Sequence, residues 1–446
     1  MSADRADGNA GVASRKRVLP WPLLLGSVVL GILLIVEEAT MLKGLAEHVR
    51  NGLLYDDFLA YWNAANSVAA SQSPYEWLVE NQPGPEAFAS VYVYPPLLAV
   101  LLAPLTQVLD YSTLRWAWLI FSVLCLVLGA ALVWRISGLR LRDRNPLILV
   151  SCLALLPSAT WALVLGQPSP QLLLVIAGIS AALGVRQPAM AGTFLAFGAY
   201  LKSFPVLLGG YLLLRRQWRG CLAAVAAGLL LVTLSLLVLG WEPHWTYLTR
   251  VVPAQRLWFG LPSEVSIMGF FTRLLVESPF DDPFTTPVVV AEAAAQVAIA
   301  FSVVALLVAS SYAIWRARSD REGEAAAYAL AVVATMLVSP ISGAYNLVIA
   351  LLPLAVAAAH VQAAWPRHQW WFFLALMLLS LPVFPFDLWP VPAYFPRVPG
   401  DLPPSQMGWG NLLASGPFFG LVVLWGLLVR LCLEPRPLPS SDGASR

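Results

Sequence analysis

Charge is scarce in this sequence: 12% of its 446 residues are Asp, Glu, Lys or Arg, against about 25% in an ordinary soluble domain. Lysine is scarcer still, confined to Lys16, Lys43 and Lys202. With a net charge of +2 and arginines in short, scattered clusters, there is no basic face for nucleic acid. The four cysteines, Cys125, Cys152, Cys221 and Cys432, have no paired spacing and fit small packing residues better than a disulfide or redox role. The four histidines, His48, His244, His360 and His368, are too dispersed to form a metal site. No glycine-rich phosphate loop is present, so no nucleotide cofactor is expected.

Apolar residues fill the gap. They make up 59% of the chain, the mean hydropathy is +0.72, and stretches near the roughly 20 residues of a bilayer span recur from Val18–Val36 to Leu412–Leu431. The first is long and lacks a small-residue cleavage site, so it reads as a retained helix and not a signal peptide. Cytoplasmic loops carry the excess of Lys and Arg. Twelve spans put every basic cluster inside: about 18–36, 113–134, 147–165, 170–185, 188–201, 204–215, 220–240, 287–315, 324–339, 346–363, 369–384 and 412–431. Trp134, Trp218, Trp315 and Trp365 stand beside four of these clusters, where an aromatic belt is expected.

The expected architecture is therefore an all-α integral membrane protein of about twelve transmembrane helices. A cytoplasmic tail (1–17) precedes a single transmembrane domain (18–433), and a disordered cytoplasmic tail (434–446) follows. The long loops, Glu37–Thr113, Trp241–Thr286 and Pro385–Asn411, face outward. Tyr94–Asp110 is apolar but short and proline-rich, so it is expected to lie in or dip into the outer interface instead of crossing.

The polar residues with chemical potential gather in those outer segments. The first loop carries Asp56 and Asp57 with Tyr61 and Trp62, then Tyr75 and Tyr94. Aromatic faces stack on sugars and a carboxylate can act as a general base, although a solvated acid capping a helix fits the spacing equally well. Gln167 lies in a Gly-Gln-Pro-Ser turn that suits either a polar ligand or a plain helix connection. Lys202 lies close to membrane depth, where an ammonium needs a partner such as a lipid phosphate or snorkels to the interface. Arg273, in the Ser266–Arg273 segment, can bind phosphate or pair with Glu264 or Glu277. The run Ser339–Asn346, with Ser342, Tyr345 and Asn346, is a turn or a ligand site.

In order, Asp57-Phe58 with Tyr61-Trp62, Pro74-Tyr75, Tyr94-Pro95-Pro96, Gly166-Gln167, Ala191-Gly192 to Leu201-Lys202, Ser266 to Arg273 and Ser339-Pro340-Ile341-Ser342 resemble glycosyltransferase family 87. That family belongs to the GT-C membrane class, and its characterised members include polyprenol-phosphate-mannose-dependent mannosyltransferases. The resemblance implies a GT-C-type bundle with juxtamembrane helices in the first outer loop. It implies transfer of mannose, or another hexose or pentose, from a polyprenyl-phosphate donor to a glycolipid or glycan acceptor at the outer face of a bacterial plasma membrane. Asp57, rather than Asp56, would be the base of an inverting attack. Lys202 and Arg273 would hold the departing phosphate. Asp56, Tyr61, Trp62, Tyr75, Tyr94, Gln167, Ser266, Ser342, Tyr345 and Asn346 would line the substrate site.

The chain departs from the family's usual pattern at Gly343-Ala344-Tyr345-Asn346. Members often follow Ser-Pro-Ile-Ser with Trp, an acid and His, so Tyr345 stands at the histidine position. A different sugar follows from that departure as naturally as loss of activity. A polymerase or ligase of lipid-linked glycans, a transporter, and a noncatalytic membrane component remain alternatives.

The topology has a direct test. A cysteine beside Arg140, such as Leu139→Cys, resists membrane-impermeant thiol reagents applied from outside; ready labelling would make Tyr94–Asp110 a crossing.

Overall fold

The computed structural model describes residues 57–76, 91–137, 151–278, 285–363, 368–380 and 407–434. The N-terminal tail, the first expected span at 18–36, Asp56, most of the 385–411 loop and the tail from residue 435 lie outside the described residues. Within them the secondary structure is helical, with two isolated β-bridges, Glu264 to Gly343 and Thr286 to Met407. Helix is what lipid imposes, because backbone N–H and C=O groups away from water must pair within their own segment.

Among the described residues the α-helices of seven or more residues are α1 (Asp57–Ala69), α2 (Leu97–Thr106), α3 (Tyr111–Ile136), α4 (Leu156–Leu165), α5 (Ser169–Gly184), α6 (Pro188–Leu201), α7 (Leu208–Leu214), α8 (Trp218–Leu239), α9 (Ile267–Leu275), α10 (Glu292–Arg316), α11 (Arg321–Val338), α12 (Leu351–Ala363), α13 (Gln369–Leu379) and α14 (Gly416–Leu433), and a 3-10 helix, Ala344–Ala350, leads into α12. Local chemistry sets several ends. Asp110 caps α3 by accepting from the Thr113 amide at 2.9 Å, and Asp320 caps α11 through the Gly323 amide at 2.9 Å. Gly166, at φ +73°, ends α4 in the left-handed region that glycine occupies without a Cβ penalty.

Among the described residues, five helices are long and apolar enough to cross a membrane: α3, α8, α10, Ala344–Val361 and α14. Each expected span after the first falls on a helix, but α4, α5, α6, α7 and α13 are shorter than a straight crossing requires. Helix length therefore does not establish the count of twelve.

Burial separates centre from rim. Ala344–Val361 has 83% of its span buried, whereas α8 has 6% and exposes Leu222, Val225, Leu229 and Leu237, side chains suited to lipid. The main core gathers α5, α11, α12, α13 and α14. A second, aromatic core of Phe58, Tyr61, Tyr75, Tyr92, Trp118 and Tyr247 lies beneath α1 and α2. At the end of α7, Arg215 pairs with Glu324 and donates to the carbonyls of Ile314 and Ala317 at 3.1 Å. The basic clusters after α7 and after α10 thus meet at one end of the bundle.

Helices α6 and α8 approach backbone to backbone. A Cβ on Gly192 would collide with the Gly220 carbonyl and come within 2.8 Å of the Ala224 amide, the close contact that small residues permit between membrane helices. Gly192→Ala is expected to cost about 2 kcal/mol through overpacking. Gly228→Ala, with nothing within 4 Å, should be neutral or mildly stabilising. Thermal unfolding of both variants in detergent checks the contrast, and an equally stable Gly192→Ala contradicts the packing.

Candidate active site

Helix α1 begins at Asp57, whose carboxylate opposes the positive end of the helix dipole. Phe58, Tyr61, Ala65 and Val68 form its buried stripe at helical spacing. Phe58 packs on Trp118 with ring centroids 5.7 Å apart, and Tyr61 meets Tyr94 edge-on at 5.0 Å. The segment before α2 is fastened from several sides. Tyr75 donates from its hydroxyl to the Tyr94 carbonyl at 2.7 Å, Tyr92 to the Pro95 carbonyl at 2.6 Å, and Gln255 from its amide to the Val93 carbonyl at 2.8 Å. Across the site, Trp118 donates to the Gly166 carbonyl at 2.7 Å and Arg115 to the Val164 carbonyl at 2.6 Å. These bonds fix the turn that carries Gln167.

Gln167 then links both sides. Its Nε2 donates to Asp57 Oδ2 at 2.5 Å, and its Oε1 accepts from the Tyr94 hydroxyl at 3.0 Å. A carboxylate only accepts, so the amide presents its nitrogen to Asp57 and its oxygen to Tyr94.

Lys202 enters from the end of α6. The helix stops at Leu201, and Lys202 has extended backbone with its N–H still bonded to Gly198. Its buried ammonium donates to Asn346 Oδ1 at 3.2 Å and lies 4.4 Å from the Tyr345 ring centroid and 5.7 Å from that of Tyr94. Ser169 Oγ donates to the same Asn346 oxygen at 2.7 Å. Burial lowers the Lys202 pKa to about 7, against the opposing pull of Asp57 and Glu264.

Glu264 forms the other wall. Its Oε2 accepts from the Ser342 amide at 2.5 Å. Val265 N donates to the Ser342 carbonyl and Ala344 N to the Ser263 carbonyl, each at 2.9 Å, closing the bridge between Glu264 and Gly343. Burial raises the Glu264 pKa to about 7, moderated by the Ser342 amide, Arg273 and Lys202.

The structure brings Asp57, Tyr94, Gln167, Lys202, Tyr345 and Asn346 into one cluster, with Tyr61 against Tyr94. The other candidates stand apart from it. Trp62 packs on Tyr111 at 5.7 Å, Tyr75 sits behind Tyr94, and Ser266 caps α9 by accepting from the Gly269 amide at 3.0 Å. Ser342 contributes its backbone N–H. Arg273 is buried and donates to the carbonyls of Leu261 and Glu264 at 2.9 and 2.7 Å and to Ser415 Oγ at 2.9 Å. It binds its own loop, and burial lowers its pKa to about 10. Sequence reasoning considered Glu264 only as a partner for Arg273. Glu264 is the one charged residue in the largely apolar stretch Leu257–Phe271, which is the available signal. Among the described residues no group of three or more His, Cys, Asp and Glu is placed to hold a metal ion.

The family model for glycosyltransferase family 87 matches residues 92–340, more than half of the chain. The chain belongs to glycosyltransferase family 87. With its apolar helices, it is a membrane glycosyltransferase. The comparisons with curated proteins and with solved structures gave no match. The family 87 match takes in Tyr94, Gln167, Lys202, Glu264 and Arg273, ends before Ser342, Tyr345 and Asn346, and begins after Asp57.

Glu264 yields a pH signature. An acid whose folded pKa stands near 7 instead of 4.5 binds more proton folded than unfolded between those values, so its contribution to stability declines as pH rises through that window. The melting temperature of the family 87 protein should carry this downward slope from about pH 4.5 to 7, and Glu264→Gln should flatten it. An identical slope in the variant would show that Glu264 does not titrate there.

Proposed function

We propose that this family 87 protein transfers a sugar from a polyprenyl-phosphate carrier to a hydroxyl of a lipid-linked or cell-envelope glycan. The transfer takes place at the extracytoplasmic face of a bacterial plasma membrane, with both chain termini cytoplasmic. What supports the reading is the convergence of a carboxylate and a cation, Asp57 and Lys202, in one cluster otherwise built from aromatic rings, amides and a hydroxyl. That is the equipment for removing a proton from one oxygen while another departs with negative charge.

In this reaction the acceptor oxygen attacks the anomeric carbon opposite the phosphate, and Asp57 takes the hydroxyl proton as the new glycosidic bond forms. The bond from the anomeric carbon to the phosphate oxygen breaks, its electron pair stays with the polyprenyl phosphate, and the anomeric configuration inverts. Lys202 offsets the charge on that phosphate. Gln167, itself held by Tyr94, fixes the direction of the Asp57 carboxylate. Lipid phosphate is already a good leaving group, so positioning, one base and one cation account for the catalytic need. Arg273, bound to the carbonyls of its own loop, keeps Glu264 and Ser342 in register and leaves the phosphate to Lys202. The sugar is mannose or another hexose or pentose, with the Tyr345 ring replacing the histidine common in the family.

A panel of radiolabelled polyprenyl-phosphate sugars offered to the purified protein in lipid tests the proposal. Wild type should transfer from at least one donor, and Asp57→Asn should reduce that rate by about 10²- to 10⁴-fold, the usual worth of a positioned base. Transfer by Asp57→Asn at the wild-type rate would remove Asp57 from the mechanism. Folded wild type that uses none of the donors would point to a noncatalytic or transport role.

A further inference from the structure

The orientation of one side-chain amide follows from its neighbours. Lys202 Nζ and Ser169 Oγ both contact Asn346 Oδ1, at 3.2 and 2.7 Å. A protonated ammonium donates and cannot accept, so the atom facing Lys202 has to be the amide oxygen. The amide nitrogen is consequently turned away from both. Asn346 is fully buried, and its Nδ2 has no hydrogen-bond partner among the described residues. An unpaired buried amide N–H carries an uncompensated desolvation cost, relieved when a ligand supplies the acceptor.

The surroundings indicate which acceptor. The oxygen and nitrogen of a carboxamide are about 2.2 Å apart by standard bond lengths, so Asn346 Nδ2 and Lys202 Nζ lie within about 5.5 Å of each other. Two donors at that separation can each reach a different oxygen of a single phosphate. The tyrosine rings of Tyr345 and Tyr94 lie 4.4 and 5.7 Å from the ammonium and offer it no full negative charge. Asp57 and Glu264, the two acids coupled to Lys202, only accept when ionised and would repel that anion. The amide is a donor that attracts it without adding a second full charge.

We propose that Asn346, locked in orientation by Ser169, is the neutral half of a phosphate clamp whose charged half is Lys202. Its Nδ2 donates to a non-bridging oxygen of the donor lipid's phosphate. The inference rests on the polyprenyl-phosphate reading above and extends it to Asn346, which lies outside the stretch that the family model matches.

Binding of farnesyl phosphate and of uncharged farnesol to the full chain in lipid nanodiscs tests both levels separately. Wild type should prefer the phosphate. Asn346→Ala should weaken farnesyl phosphate binding by about tenfold or more, the loss expected when a hydrogen bond to a charged group disappears, and leave farnesol binding unchanged. Asn346→Asp keeps the shape and the Lys202 contact but replaces the N–H donors with oxygen, so it should bind the phosphate at least as poorly. It also serves as the test if the alanine variant does not fold. Farnesyl phosphate affinity at the wild-type level in either variant, with farnesol binding intact, overturns the clamp while the donor reading stands. A wild type that binds farnesol as tightly as farnesyl phosphate overturns both.

Discussion

A buried ammonium governs the arrangement of this site. Removing a charged amine from water costs several kcal/mol even after the protein relaxes, so Lys202 requires compensation from every direction, and the fold supplies it. The start of α1 brings Asp57, the loop before α9 brings Glu264, the turn before α12 brings Tyr345 and Asn346, and the segment before α2 brings Tyr94. These pieces are distant in sequence. An amide oxygen, two carboxylates and two ring faces are complementary to a cation, and Asn346, Asp57, Glu264 and Tyr94 are each held by a further hydrogen bond. The break after Leu201 makes the arrangement possible, since a continued helix would aim residue 202 differently.

The division of labour between the two buried cations follows from their partners. Arg273 has its guanidinium on backbone carbonyls and a serine hydroxyl, which makes it a loop fastener; Lys202 makes a side-chain hydrogen bond to the Asn346 amide oxygen and lies against two aromatic faces. A fork of fixed donors suits carbonyls converging from one loop, while an ammonium is a compact point charge with rotatable donors. Both acids near Lys202 are similarly distinguished. Glu264 is fixed by the Ser342 amide within a backbone bridge, whereas Asp57 is bonded to a side chain, Gln167, on a separate helix junction.

Much of this was legible in the sequence, and the remainder had physical reasons to be hidden. Apolar run lengths located the helices, and the order of short polar motifs marked Asp57, Tyr94, Gln167, Lys202, Tyr345 and Asn346, which do come together. Their contacts with one another could not be read, because helical periodicity says which face a residue occupies and nothing about what a turn one hundred residues away presents to it. Arg273 illustrates the gap: next to Glu264 and Glu277 in sequence, it looked like a phosphate or carboxylate ligand, yet it satisfies backbone carbonyls that only the folded loop directs inward. Ser266 looked like a ligand group for the same reason and is an N-cap. Glu264 is not legible as a site residue because a single acid in a loop has no periodic signature.

The tyrosine at position 345 sharpens the chemical argument. A histidine there could exchange a proton near neutral pH, and its presence in relatives would leave two groups able to serve as base. A tyrosine has no basic ring nitrogen, and here its ring face lies over the Lys202 ammonium. Proton removal in the proposed reaction then falls to a carboxylate. Of the two in the cluster among the described residues, Glu264 is bonded within the bridge to Ser342 and drawn toward its protonated form by burial, which favours Asp57 as the base of the proposed reaction. In that reaction the base and the phosphate clamp meet through one turn, since Gln167 bonds Asp57 and Ser169 bonds Asn346.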